Sequence, residues 1–374
     1  MIDILFLNLL QCSLFDTPID ESLIKDMDKA KWNELFSIAT KQRVNAICLQ
    51  GINKIVSGKY DFETIGLFKI NLMKEIGHML YADKQYQRHI DIIQKLAYFF
   101  ISHKVPMVLI KGYGLSKEYP IPQKRLVGDI DIYHCGKGVF ADELIRSKGI
   151  YVKQNEEKHS IYKINEVIVE NHASIINNIE HKSLNEVEGF LEKELLLHSI
   201  KDNITECLLP STMFNVVFLP LHFAGHFVYG GANLRQIVDY ALVVKNANLN
   251  SDTNQIDWER VKALAIEGGY FKFLCCLNGI CMDYIGIPSD CFPDWPRYKD
   301  IEERMLAEVL NPTSVDVHSL PSKIKRYFKN RWKYQLVYSK ESHLKGFLLR
   351  IRSWVNWKWG KKSVWNRKEK KRNC

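Results

Sequence analysis

No Cys-x-x-Cys pair occurs in this chain. The nine cysteines are scattered: Cys12, Cys48, Cys135, Cys207, Cys275, Cys276, Cys281, Cys291 and Cys374. Their number is odd, which argues against a disulfide framework and predicts free thiols in a reducing compartment, the cytoplasm, with no disulfide partner. Cys275, Cys276 and Cys281 lack a partner histidine spacing, so zinc is not expected there. No P-loop is present, and Gly112-Tyr-Gly114 lacks the rest of G-x-G-x-x-G. The absence of Gly-x-Ser-x-Gly removes the hydrolase elbow. Acids are nearly missing from the end of the chain. Residues 321–374 hold 18 Lys and Arg against Glu341 and Glu369, a net +16, whereas the first 320 residues hold 34 against 41, a net −7. Any polyanion or membrane partner therefore belongs to the tail. Charge is absent from Cys207 to Leu234, long enough for a membrane span. Pro210, Asn215, Pro220, His222, His226 and Gly230-Gly231 interrupt the stretch, which predicts a buried helix instead. The apolar N-terminus carries Asp3 and no basic leader, so no signal peptide is expected.

What is present is ordinary for a globular protein: 374 residues, 46% hydrophobic and 25% charged. Disorder, collagen and a small disulfide scaffold are excluded, and two or three domains can each bury a core. Residues 1–104 carry apolar positions at three- and four-residue spacing, which predicts helices, with one or two from Leu67 to His103. Residues 105–183 change texture. Val105-Pro-Met-Val-Leu-Ile reads as a buried strand closed by a turn at Lys111-Gly112. Val127-Gly-Asp-Ile-Asp-Ile-Tyr alternates as a strand. His159-Ser-Ile-Tyr-Lys-Ile and Val167-Ile-Val-Glu-Asn-His read as a hairpin around Asn165-Glu166. Helical spacing returns over 184–320. In the basic 321–374 tail, Leu344, Phe347, Leu348, Ile351, Trp354 and Val355 make one stripe, followed by Trp357, Trp359 and Trp365. Packing on the body, a membrane interface and nucleic acid are the three readings of that stripe.

Chemistry concentrates at Gly128-Asp129-Ile130-Asp131-Ile132. On a strand, Asp129 and Asp131 share a face, roughly 6.5–7 Å apart. Paired carboxylates there call for a cation, and Mg²⁺ or Mn²⁺ with phosphate oxygens suits them. Glu170, on the neighbouring strand, is placed to complete the set, with Glu166 and His172 as alternatives if the strand phase differs. Lys111 and Arg125 are cations placed to contact phosphate beside the acids. With one of two crowded acids removed, Asp129→Asn and Asp131→Asn are each expected to leave the metal-free fold as stable or slightly more so. His222 and His226 share a helix face, either in the core or at a cleft. Arg235 and Asp239, four apart, read as an ion pair, with a cleft role for Arg235 as the alternative.

Leu109-Ile-Lys-Gly, Tyr119-Pro, Arg125, Gly128-Asp-Ile-Asp-Ile and Val169-Glu-Asn-His resemble the bacterial nucleotidyltransferase-like family of the DNA polymerase β superfamily. Leu221-His-Phe-Ala-Gly-His and Leu234-Arg-Gln-Ile-Val-Asp-Tyr resemble the helical segment after that family's catalytic sheet. The resemblance covers roughly residues 30–300. It implies an α+β fold in which a small mixed sheet lies between helical segments. It implies a Mg²⁺-dependent transfer of a nucleoside monophosphate from an NTP such as ATP to an acceptor, releasing pyrophosphate. Asp129, Asp131 and Glu170 would hold the metal, while Lys111, Gly112, Arg125 and Gly128 would line the nucleotide's phosphates. The family's usual Gly-Ser turn is Lys111-Gly112 here. A non-catalytic nucleotide-binding protein on the same fold, and a nucleic-acid-modifying enzyme that uses the basic tail, are the alternatives.

Overall fold

Helical spacing in the first third of the chain gives α1 (Ile2–Phe15), α2 (Ser22–Lys25), α3 (Lys29–Lys41), α4 (Asn45–Gly58) and α5 (Lys69–Ser102). The structure, a computed structural model, describes residues 2–58, 69–155, 159–176, 181–249, 256–312 and 320–342. Helix α3 starts where the Asp28 carboxylate accepts the Lys31 N–H, satisfying a donor that the first turn leaves unpaired. The long pattern up to His103 resolves as one helix, α5. Positive φ at Asn165 and Glu166 gives the hairpin its tight turn.

The next elements are β1 (Val108–Leu109), α6 (Tyr113–Ser116), β2 (Ile130–Tyr133), α7 (Gly138–Ser147), β3 (Lys153–Asn155), β4 (His159–Ile164) and β5 (Val167–His172). After α8 (Asn185–His198) come two more short strands, β6 (Ile200–Lys201) and β7 (Leu208–Leu209). All seven form one mixed sheet in the order β3-β4-β5-β2-β1-β7-β6. The sheet thus draws two strands from beyond residue 183. Strand β2 runs parallel to β5 and antiparallel to β1.

Alternation on the two central strands sends their residues to different places. Ile130, Ile132, Val167 and Val169 enter a core shared with α5 and α7. Asp131, Tyr133, Glu170 and His172 take the opposite face by the period of two. That face looks towards a larger helical body. Its members are α9 (Thr212–Tyr229), α10 (Leu234–Leu249), α11 (Trp258–Gly268), α12 (Phe271–Ile280), α13 (Lys299–Leu310) and α14 (Leu320–Val337). Leucines and aromatics of α1, α3 and α4 belong to the same hydrophobic cluster as those of α9, α10 and α12. Both ends of the described chain therefore build one body. The uncharged stretch is α9, capped by Ser211 and buried in this body. No helix among the described residues is long and apolar enough to cross a membrane.

Gln42 shows how the two ends lock together. Its Nε2 donates to the Val309 carbonyl at 2.8 Å, and its Oε1 accepts the Leu234 N–H at 2.8 Å. Its own carbonyl accepts the Arg235 N–H. One buried side chain thus caps α10 and closes the end of α13. The first part of the basic tail, α14, packs on α9, with Tyr334, Leu336 and Val337 buried. The Leu344–Val355 stripe and the tryptophans after it lie outside the described residues. The eight described cysteines are free thiols.

Candidate active site

The register of β2 against β5 sets Asp131 directly opposite Glu170 and Tyr133 opposite His172. Asp131 is 1% exposed, yet it makes two charged contacts on one oxygen. His172 Nε2 lies 2.9 Å from its Oδ1, and Lys111 Nζ lies 2.9 Å from the same atom. Oδ2 is the oxygen left for a further ligand. Glu170 stands beside them, 3.6 Å from His172 Nε2 and 3.8 Å from His159 Nε2.

These contacts govern the protonation states. Burial alone would raise the Asp131 pKa, but Lys111 and His172 outweigh it and hold the carboxyl well below the usual range. Burial opposes the charged forms of His172 and Lys111. Hydrogen bonds that His172 donates to Asp131 and Glu170 outweigh it at His172, and the Asp131 and Asp129 charges outweigh it at Lys111, so both pKa values rise. Asp129 precedes β2, and its surroundings in the cleft, then the Asp131 charge, raise its pKa.

Donor atoms of Asp131, Glu170 and His172 lie within 4.8 Å of one another, close enough to share a metal ion. This set fits a divalent cation. The carboxylate oxygens suit Mg²⁺, and the imidazole makes Mn²⁺ at least as suitable. Asp129 stands outside that group, although it lines the same cavity. Both Glu170 and its alternative His172 therefore face Asp131. The third candidate, Glu166, sits in the hairpin turn, exposed and beside Lys163.

The cavity, about 220 Å³, lies between the sheet and the helical body. Lys111, Gly112, Gly128, Asp129 and Asp131 line the sheet side, and His222, His226, Arg235 and Asp239 the helical side. His222 and His226 thus border the cleft. Burial, and then the Lys111 charge, depress both imidazoles. Gly112 has φ 72° and ψ −117°, a conformation that a side chain would strain. The Lys111-Gly112 turn therefore depends on that glycine. At Gly128 an added Cβ would meet nothing within 4 Å, so its identity has no steric cause.

Arg125 and Arg235 differ from the sequence expectation. Arg125, expected at a phosphate, is 4% exposed and spent inside the protein. It forms a bidentate pair with Asp239 at 2.7 and 2.8 Å, and its Nη1 donates to the Gly112 carbonyl. Tyr119 adds a hydrogen bond to Asp239 at 2.7 Å. Arg125 thus braces the turn from behind. The expected Arg235–Asp239 pair does not form, because Arg125 already fills the carboxylate. Arg235 instead donates to the Leu126 carbonyl at 2.6 Å. Arg43, Asn233 and Gln236 also line the cavity. Gln236 lies in the Leu234–Tyr240 segment of the family resemblance, but no motif marked Arg43 or Asn233, which arrive through the packing of helices distant in sequence.

A profile of the family described as "Uncharacterised nucleotidyltransferase" matches residues 28–286, a span that contains every residue of the cleft. A search of curated proteins finds no match. Among solved structures, an antigenic nucleotidyltransferase-like protein from Paracoccidioides brasiliensis is similar, with 12% identity and a TM-score of 0.30. The match covers 41% of this chain and 74% of that one, a likeness too slight to inform the site. Because the family profile spans more than half of its length, this chain belongs to that nucleotidyltransferase family.

Proposed function

We propose that the protein transfers a nucleoside monophosphate from an NTP to an acceptor hydroxyl and releases pyrophosphate, on a fold of the polymerase β kind. The observation that carries this reading is the facing of Asp131 and Glu170 on parallel strands, with Asp131 lining one cleft together with Asp129 and the Lys111-Gly112 turn. Asp129, Asp131 and Glu170 would hold divalent metal, Mg²⁺ or Mn²⁺, with His172 as a further donor. A metal so placed supplies charge neutralisation for the phosphoryl group and activation of the attacking oxygen.

The chain's own groups supply position and charge. Lys111 lies 18% exposed at the cleft, where its ammonium can turn from Asp131 to a phosphate oxygen. Gly112 lets the backbone approach the phosphates, and Arg125 fixes that turn through the Gly112 carbonyl. The acceptor oxygen forms a bond to the α-phosphorus as the bond to the pyrophosphate oxygen breaks in line. The hydroxyl proton passes to a carboxylate of the site. Most of the rate then comes from placement and electrostatics.

Incubation with each α-labelled NTP, Mg²⁺ or Mn²⁺ and cell extract tests the reading. Label should enter an acceptor with release of pyrophosphate, and Asp131→Asn should abolish it. Undiminished transfer by that variant would remove the metal-site assignment. One observation favours a second reading, a nucleotide-binding protein without catalysis: Lys111 and His172 both occupy Asp131 Oδ1, an oxygen that a metal would need. Metal-dependent NTP binding with no pyrophosphate release would establish it.

A further inference from the structure

The two walls of the cleft carry opposite charge. Acids occupy the sheet wall. On the helical wall, Arg43, Arg125 and Arg235 converge from the end of α3, the loop before β2 and the start of α10. One acid, Asp239, faces them, and Arg125 occupies it from both sides of its guanidinium. Among the described residues Arg43 and Arg235 have no carboxylate partner. The Arg235 Nε, a donor, is buried without a hydrogen-bond partner. Arg43 and Arg235 both line the cavity.

Arg235 is half-buried, and the acid that faces it, Asp239, is already paired with Arg125, so its charge is under-compensated. Burial first, and then the neighbouring Arg125 charge, lower the Arg235 pKa to about 10, with Arg43 adding to the repulsion. The fold nevertheless fixes these groups firmly. Gln42, next to Arg43, is locked into α10 and α13, and the Arg235 N–H is tied to the Gln42 carbonyl. Such an arrangement is complete only when an oxyanion enters. The planar fork of arginine suits a carboxylate or phosphate.

We propose that Arg43 and Arg235 form a subsite for an oxyanion, phosphate or carboxylate, carried by one of the two substrates. His226 lines the same wall, where its lowered pKa keeps it neutral and so leaves the anion site to the arginines. The subsite rests on the nucleotidyl-transfer reading for its role, but not for its binding chemistry. The cavity of about 220 Å³ is smaller than a typical whole-ligand pocket. It therefore receives the charged end of a substrate while the rest lies at the mouth. Two sources supply such a group: the NTP's terminal phosphates, or an acidic acceptor.

Calorimetry on the full chain separates these cases, with inorganic pyrophosphate, succinate, Mn²⁺ alone and Mg²⁺-ATP as probes. Wild type should bind pyrophosphate or succinate. Arg43→Ala and Arg235→Gln should each weaken that binding roughly tenfold or more, while Mn²⁺ binding stays unchanged. A parallel loss of Mg²⁺-ATP affinity assigns the oxyanion to the NTP. Unchanged Mg²⁺-ATP affinity assigns it to the acceptor. Arg43 is exposed, so Arg43→Ala keeps the test valid if Arg235→Gln fails to fold. Wild type that binds neither oxyanion, or variants that bind them as wild type does, overturns the subsite. Absence of label transfer from NTP removes the catalytic reading alone, because the binding measurement needs no turnover.

Discussion

Asp131 is the residue on which most of the cleft depends, and its surroundings reverse an expectation for one of the two aspartates. Strand spacing made Asp129 and Asp131 equivalent crowded acids, each expected to be removable from the metal-free protein without loss of stability. Asp131 is instead buried between two cations. Asp131→Asn strands Lys111 and His172 and should lower metal-free stability by about 1–3 kcal/mol, less than the ~3–5 kcal/mol for breaking a fully buried pair, because Lys111 can swing into the cleft. Asp129→Asn removes an acid whose pKa is already raised and should leave melting unchanged or slightly higher. Denaturant unfolding of both variants without metal checks the contrast, and equal effects would refute it. Lys111 predicts a second asymmetry. Its ammonium competes with a divalent ion for Asp131, so Lys111→Ala should tighten Mn²⁺ binding roughly tenfold while weakening NTP binding by a similar factor. Electron paramagnetic resonance of free Mn²⁺, with and without nucleotide, reads both. A third residue sets an acid limit. His134 is buried, its Nδ1 lies 2.7 Å from the Pro106 carbonyl, and burial lowers its pKa to about 4. The unfolded chain takes up that proton below about pH 6.5 and the folded chain only near pH 4, so stability falls as pH drops through this window. Between pH 7 and pH 5 the loss from this group should be about 2 kcal/mol. His134→Gln should flatten the slope of melting temperature against pH, and an unchanged slope would count against this origin.

Among the elements, the turn between β1 and β2 is held from behind, so its cations are not interchangeable. Arg125→Ala leaves Asp239 buried without its partner and should cost about 3–5 kcal/mol, appearing first as lost folding and only then as lost nucleotide affinity. Arg125→Lys loses the bidentate geometry and should recover only part of this. Thermal melting beside nucleotide binding distinguishes a brace from a phosphate contact. This element also marks how far the sequence could be read. Alternation in Val127–Tyr133 and Val167–His172 indicated two strands whose acids share a face, because a period of two survives any packing. The hairpin at Asn165-Glu166 and the helical spans were legible for the same local reason. Arg125 was legible as a cation near the acids but not as the partner of Asp239, since that pair joins residues 114 positions apart. Strands β6 and β7 were missed because two-residue strands carry no period. Arg43 was missed because its place comes from Gln42, whose partners are about 190 and 267 residues away.

The whole molecule is organised around that long-range closure. Helices α1, α3 and α4 share their core with helices from the second half of the chain. Gln42→Ala should expose this dependence. It leaves the Leu234 N–H and the Val309 carbonyl buried without partners and should cost about 2–3 kcal/mol. Limited proteolysis should then cut near both α3 and α13, although the substitution lies in only one of them. Cleavage confined to the N-terminal helices would show that the two ends are less coupled than their contacts indicate.

The same closure imposes an order on synthesis. A nascent chain on the ribosome has α5, β1, β2, β4 and β5 in hand by residue 172, most of the sheet's core and the strands that bring Asp131, Glu170 and His172 together. The basic wall must wait. Arg235 emerges later, and the Gln42 lock beside Arg43 stays open until Val309 and Leu310 have left the tunnel. Domains fold as units while translation proceeds from the N-terminus. The carboxylates are therefore assembled first and their opposing wall last, so a half-translated chain has only one side of the cleft.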